Sequence, residues 1–164
     1  MIRVVEHALP VLAVDAVVRA ADDHLGPVGP VSVALDLEAG AASAELRRVQ
    51  APLDVGAAVI TAGGELAAEF VLHVVVQSRT GAPSRETVRR ALTSAWHRAE
   101  GWQLTTVAAA LSGLGLEPEA AAVLLVETFR DRPGNTGFPA ELQIVVEHPG
   151  ERGALEPYLS NGTP

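Results

Sequence analysis

The chain has 164 residues, of which 48% are apolar and 20% charged, with a formal net charge of −8. That composition excludes a disordered chain and predicts one domain over residues 1–164, large enough to bury roughly two-thirds of its unfolded surface. There is no cysteine and all 12 basic residues are arginine, so disulfides, thiol chemistry, Schiff-base lysines and P-loop lysines are excluded, and the acidic balance argues against a nucleic-acid surface.

In chain order, residues 2–5 and 14–18 are short apolar runs separated by Pro10, and both predict strands. The loop 22–30 (DDHLGPVGP) is rich in glycine and proline and leads into a predicted helix over 31–38, closed by Gly40. Val31, Val33, Leu35 and Leu37 also alternate with a period of two, so a strand competes for that segment. Residues 42–49 predict a second helix with Glu45, Arg47 and Arg48 outward. Residues 59–61 and 70–76 predict strands, the second a continuous apolar run of the kind buried on both faces.

After the loop 77–83, Ser84 caps a helix running to about Glu100, with Val88, Leu92, Ala95 and Ala99 on one face. His97 and Arg98 fall where cations favour a helix C-terminus. Residues 105–110 predict a strand, and 118–130 a helix with Pro118 in its first turn and Ala121, Leu124, Leu125 and Thr128 inward. A polar turn covers 131–137, residues 142–146 form the last predicted strand, and 153–159 a short helix before a frayed tail. Strands alternating with helices predict an α/β fold, a three-layer α/β/α sandwich around a mostly parallel mixed sheet.

The chemistry concentrates at predicted strand ends. The strand over 105–110 runs through a small glycine-bearing loop into the helix at Pro118. The backbone N–H groups of Gly113, Leu114 and Gly115, with the Ser112 hydroxyl and Leu116 alongside, form a candidate nest for a diphosphate at the positive end of that helix. An ordinary tight turn also favours glycine there, and Glu117 and Glu119 already offset part of the dipole.

Asp22, Asp23 and His24 are the dense ionisable cluster. Asp22 is the candidate for ribose hydroxyls, or the candidate catalytic group orienting a water with His24 as base. The competing reading makes Asp22 a cap for the turn that follows it. His73, inside an apolar run, reads as a buried, hydrogen-bonded core residue. No histidine pair has helical ligand spacing, no HExxH motif occurs and there is no Gly-x-Ser-x-Gly elbow, so neither a metal nor a serine-hydrolase site is expected.

With the elements in this order, the chain resembles the macro domain family of ADP-ribose-binding α/β/α modules. Residues 14–40 (VDAVVRAADDHLGPVGPVSVALDLEAG), 55–76 (VGAAVITAGGELAAEFVLHVVV, with His73) and 110–122 (ALSGLGLEPEAAA) carry the resemblance. It implies a small-molecule nucleotide such as ADP-ribose, or an ADP-ribosylated protein, as partner. By the same resemblance the phosphates lie over Ser112, Gly113, Leu114, Gly115 and Leu116, the loop with Gly29 and Val31 drapes over the distal ribose near Asp22, and His148 lies where the family walls the adenine.

The departures are as specific. Ala8 stands where family members carry an acid for the adenine amino group, Arg19-Ala20-Ala21-Asp22 replaces Asn-Ala-Ala-Asn, and Ser32 replaces the aspartate of hydrolytic members. Binding is therefore the expected function. ADP-ribosyl hydrolysis or deacylation of acyl-ADP-ribose, with Asp22 in the catalytic role, comes second. The alternative is a degenerate macro-like interaction domain whose apolar surplus, a mean hydropathy of +0.24, covers a subunit interface such as that of a homodimer. No cofactor is expected. The N-terminus lacks a signal-peptide pattern and no apolar run is long enough to span a bilayer, so the expected setting is cytoplasmic, with no membrane partner.

Overall fold

The computed structural model describes residues 1–48, 52–132, 134 and 136–159. Among the described residues six strands form one sheet: β1 (Ile2–Glu6), β2 (Ala16–Asp22), β3 (Ala58–Ala62), β4 (Phe70–Gln77), β5 (Thr106–Ala110) and β6 (Glu141–Val146). Their spatial order is β1-β6-β5-β2-β4-β3, and every neighbouring pair is parallel except β3 against β4. All parallel strands therefore end at one edge, and the loops leaving β1, β2, β4, β5 and β6 gather there.

Among the described residues there are five α-helices, α1 (Pro30–Ala39), α2 (Ala41–Arg48), α3 (Arg85–Gly101), α4 (Pro118–Arg130) and the one-turn α5 (Glu156–Leu159), which packs on α4. Alternation along the strands assigns the two faces. Ala16, Val18 and Ala20 of β2, Leu72, Val74 and Val76 of β4 and Leu142, Ile144 and Val146 of β6 pack with Val88, Leu92, Ala95, Leu124 and Leu125 of α3 and α4. The opposite residues, Val17, Val71, Ala108 and Val145, pack with Leu35 and Ala39 of α1 and with Leu9. The mostly parallel α/β/α arrangement expected from the sequence is the one observed.

The helix α3 starts as expected, with the Ser84 side chain accepting from Thr87 N at 3.1 Å and Thr87 Oγ1 accepting from Ser84 N at 3.0 Å. Trp96 joins α3 to α4: its ring meets Phe129 edge-on at 5.6 Å, and its Nε1–H donates to Thr128 Oγ1 at 3.0 Å. The segment 31–38 is helical despite its alternating valines and leucines. Pro30 occupies the first helical turn and Gly29, at φ 85°, supplies the backbone reversal before it. The cost of that helix is an apolar outer face, with Val33 and Leu37 exposed.

Two local expectations need correction. The second strand is Ala16–Asp22 rather than 14–18, and Asp15 just before it accepts through its side chain from the N–H groups of Thr105 and Thr106. Arg47 does not point outward; its guanidinium turns in to Asp36 at 3.6 Å. Arg98 lies in the last turn of α3 as expected, and its side chain also reaches β3, donating to the Ala58 carbonyl at 3.1 Å. Val49 of the predicted second helix and parts of the predicted turn 131–137 lie outside the described residues.

Candidate functional site

The loops at the carboxyl edge are built from the strand ends outward. At the end of β2, Asp22 folds its own turn: Oδ1 accepts from His24 N at 2.8 Å and Gly26 N at 2.9 Å, while Leu25 N donates to the Asp22 carbonyl at 2.9 Å. A side chain at Gly26 would meet Asp22 Oδ2 at 2.5 Å, so the glycine is needed for the close approach. The cap reading of Asp22 is thus realised in the geometry. Asp23 Oδ1 accepts from Arg79 N at 2.8 Å and sits 3.1 Å from His24 Nδ1. Ligand atoms of Asp22, Asp23 and His24 lie within 4.8 Å of one another, with Oδ1 of each aspartate already in hydrogen bonds to the loop.

Beneath this loop lies a buried polar group that sequence reasoning missed. Arg19, in the middle of β2 and 1% exposed, forms a two-pronged pair with Asp36 of α1, Nε to Oδ1 at 2.7 Å and a terminal nitrogen to Oδ2 at 2.9 Å. It also donates to the Leu25 carbonyl at 2.9 Å and to His73 Nδ1 at 3.2 Å. Arginine can only donate, so His73 Nδ1 is the accepting nitrogen and its Nε2–H donates to Thr61 Oγ1 at 2.7 Å. Burial above all, then the charges of Arg19 and Arg47, holds the His73 imidazole well below the usual histidine range. Arg19 and His73 stand opposite one another in register. The signal available in the sequence was a charge inside a buried apolar strand, which requires a partner across the sheet or from the covering helix.

At the end of β5 the chain turns through Leu111–Gly113 and reaches α4 at Pro118. The Leu114 N–H closes that 3-10 turn, while the N–H groups of Gly115, Leu116 and Glu117 take no partner among the described residues. Gly115 has φ 74° and faces Pro83, whose Cγ would lie 2.7 Å from an added Cβ, with Val28 Cγ1 at 3.5 Å; Gly113 backs onto Val31 and Ala110 at 3.3 Å. Gly113 and Leu114 are buried, Leu116 is half-buried and Gly115 is exposed. Val28, Val31 and Pro83 thus pack against the Cα side of these glycines, and Ser112 beside them lines a cleft.

That cleft, of about 200 Å³, is lined by Pro10, Pro30, Val31, Ala34, Ser112, Glu147 and His148. A second, of about 580 Å³, shares Pro10, Ala34, Glu147 and His148 and extends to Glu6, His7 and Ala8. Of the residues singled out in the sequence, Val31, Ser112 and His148 come together here. Gly29 is exposed at the start of α1, and Asp22 lines neither cleft. Pro10, Ala34 and Glu147 were missed. They come from three separate segments, and only the folded sheet edge brings them into one wall.

A mostly parallel sheet covered by helices on both faces, with a cleft across the carboxyl ends of β1, β5 and β6, is the architecture of an α/β sheet-edge module. The chain belongs to the macro domain family: residues 18–120 match that family. Curated relatives from Mycobacterium tuberculosis and Mycobacterium bovis, both uncharacterised proteins, are 31% identical over 131 residues, 76% of this chain. The chain spans 36% of the length of those relatives. Among solved structures, the Oceanobacillus iheyensis macrodomain with ADP is similar at a TM-score of 0.77 and 20% identity, covering 96% of this chain and 89% of that one. The Trypanosoma brucei macrodomain in complex with ADP-ribose is similar at a TM-score of 0.82 and 21% identity, covering 96% and 68%. These structures show the fold.

Proposed function

We propose that this domain binds ADP-ribose or a related nucleoside diphosphate, free or attached to a protein, across the carboxyl edge of its sheet. The observation that carries the reading is the row of N–H groups from Gly115 to Glu117, which take no partner among the described residues, at the start of α4 and beside a cleft lined by Ser112. Such a row favours an anion by direct hydrogen bonding and by the helix dipole, and does so despite the chain's negative charge. The diphosphate would lie beside Ser112, Gly113, Leu114, Gly115 and Leu116, with Val31 and Gly29 bordering one ribose and His148 the base. Macro domain membership and the ADP and ADP-ribose bound to similar folds support the same ligand class.

Hydrolysis finds less support in the geometry. One Asp22 oxygen holds its own loop, and Ser32 donates its hydroxyl to the Ala20 carbonyl at 2.8 Å. The two groups at the positions where the sequence departs from hydrolytic relatives are thus committed to structure.

The test is thermal unfolding with ADP-ribose. At about 100 times the dissociation constant the gain should be roughly 2.7 kcal/mol, or about 5–10 °C in Tm for a domain of this size. Ala34 is exposed and lines both clefts, so Ala34→Phe should erase the shift while leaving the unliganded Tm in place. No shift in the wild type at millimolar ADP-ribose would overturn the reading.

A further inference from the structure

The far end of the cleft, away from Ser112, is walled by Ala8, Pro10, Ala34 and Val146, with Glu147 and His148 as its rim. Residues 143, 145 and 147 share a side of β6 by strand alternation, and Val145 packs with Leu9 and Leu35 on the α1 face. Glu147 therefore rises on the side where Ala34 and Pro10 form the wall, and it borders both clefts. One of its oxygens, Oε1, takes a long bond from Leu9 N at 3.4 Å; Oε2 takes none from any described residue. The neighbouring carboxylate differs. Glu6 is absent from the cleft beside Ser112, its side chain is 71% exposed, and Arg152 holds it at 3.1 Å.

A carboxylate only accepts hydrogen bonds, so a ligand group that pairs with it in this cleft must be a donor. We propose, on the reading that this cleft takes a nucleoside diphosphate, that Glu147 is a specificity-determining residue that selects bases carrying an exocyclic amine. It does so from the end of β6, beside the β1 end where Ala8 offers no side-chain acceptor. Register places the two strand ends together, since Glu6 of β1 stands opposite Val146 of β6. The selectivity comes from one charge-assisted hydrogen bond, and a base without the amine forgoes it.

The test is calorimetric titration with ADP and with the 5′-diphosphate of purine riboside, which lacks only the amine. Wild-type protein should bind ADP about tenfold or more tightly than the purine riboside compound, the range expected for a hydrogen bond to a charged acceptor. Glu147→Ala, an exposed position, should fold normally and bring the two affinities to within about twofold, mainly by weakening ADP. If the wild type binds both equally, or if Glu147→Ala keeps the preference, Glu147 is not the reader, while diphosphate binding stands. If the wild type binds neither at millimolar concentration, both this inference and the reading beneath it fall.

Discussion

Replacing Arg19 by methionine probes the group that ties the site loop to the fold. Methionine keeps the length and apolar stem but removes every donor. Asp36 then loses two short bonds, 2.7 and 2.9 Å, and the Leu25 carbonyl loses its 2.9 Å partner. Removing one partner of a buried ion pair costs about 3–5 kcal/mol. Asp36 is 18% exposed and Arg47 stays within 3.6 Å of it, which sets the expected loss at the lower end, about 3 kcal/mol. In a domain of this length that is roughly 6–12 °C in Tm. Urea unfolding followed by circular dichroism measures it directly. Asp36→Leu alone, which strands a cation in the core, should cost at least as much. The double variant Arg19→Met/Asp36→Leu should recover most of the loss, giving a coupling of about 2 kcal/mol or more. A loss under about 0.5 kcal/mol for Arg19→Met, or a double variant equal to the sum of the singles, would refute the network as an energetic unit.

His73 makes stability depend on pH. Its folded-state pKa is depressed, so below about pH 6.5 the unfolded chain takes up a proton that the folded state refuses. Stability then falls by up to about 1.4 kcal/mol per pH unit for this group. Urea titrations at pH 7.5 and 5.5 should show that slope in the wild type and a shallower one in His73→Gln. Asp22→Ala should cost about 1–2 kcal/mol through loss of its cap, whereas Asp22→Asn, which keeps an acceptor oxygen, should cost less than half as much by the same denaturation assay. Trp96→Ala should cost about 3–5 kcal/mol, because it empties a fully buried site and leaves Thr128 without its donor.

Much of the layered fold could be read from local pattern. The cap at Ser84, Pro118 at the start of α4 and the buried stripes on both helices are short-range features that 3.6-residue periodicity exposes, and each one is present in the structure. The turn held by Asp22 was likewise legible as one of two readings. Where local signals competed, as in 31–38, proline at the first turn and glycine before it outweighed the period-two alternation. The bringing together of Val31, Ser112 and His148 followed from strand order once the family resemblance was drawn.

Other features are decided by tertiary contact alone. Arg19 interrupts an apolar strand and so calls for a partner, but which partner is decided only when the sheet sets it opposite His73 and α1 lowers Asp36 onto it. Glu147 and Ala34 stand far apart in the chain and share a wall because β6 ends beside α1. The glycines of the loop after β5 are read locally as a turn, but only the fold brings Val28, Val31 and Pro83 against their Cα atoms. Periodicity and capping depend on residues a few positions apart, so the chain writes them out in order. A buried charge's partner, or the depth of a cleft, depends on residues that only the closed packing of sheet and helices brings within a few ångströms.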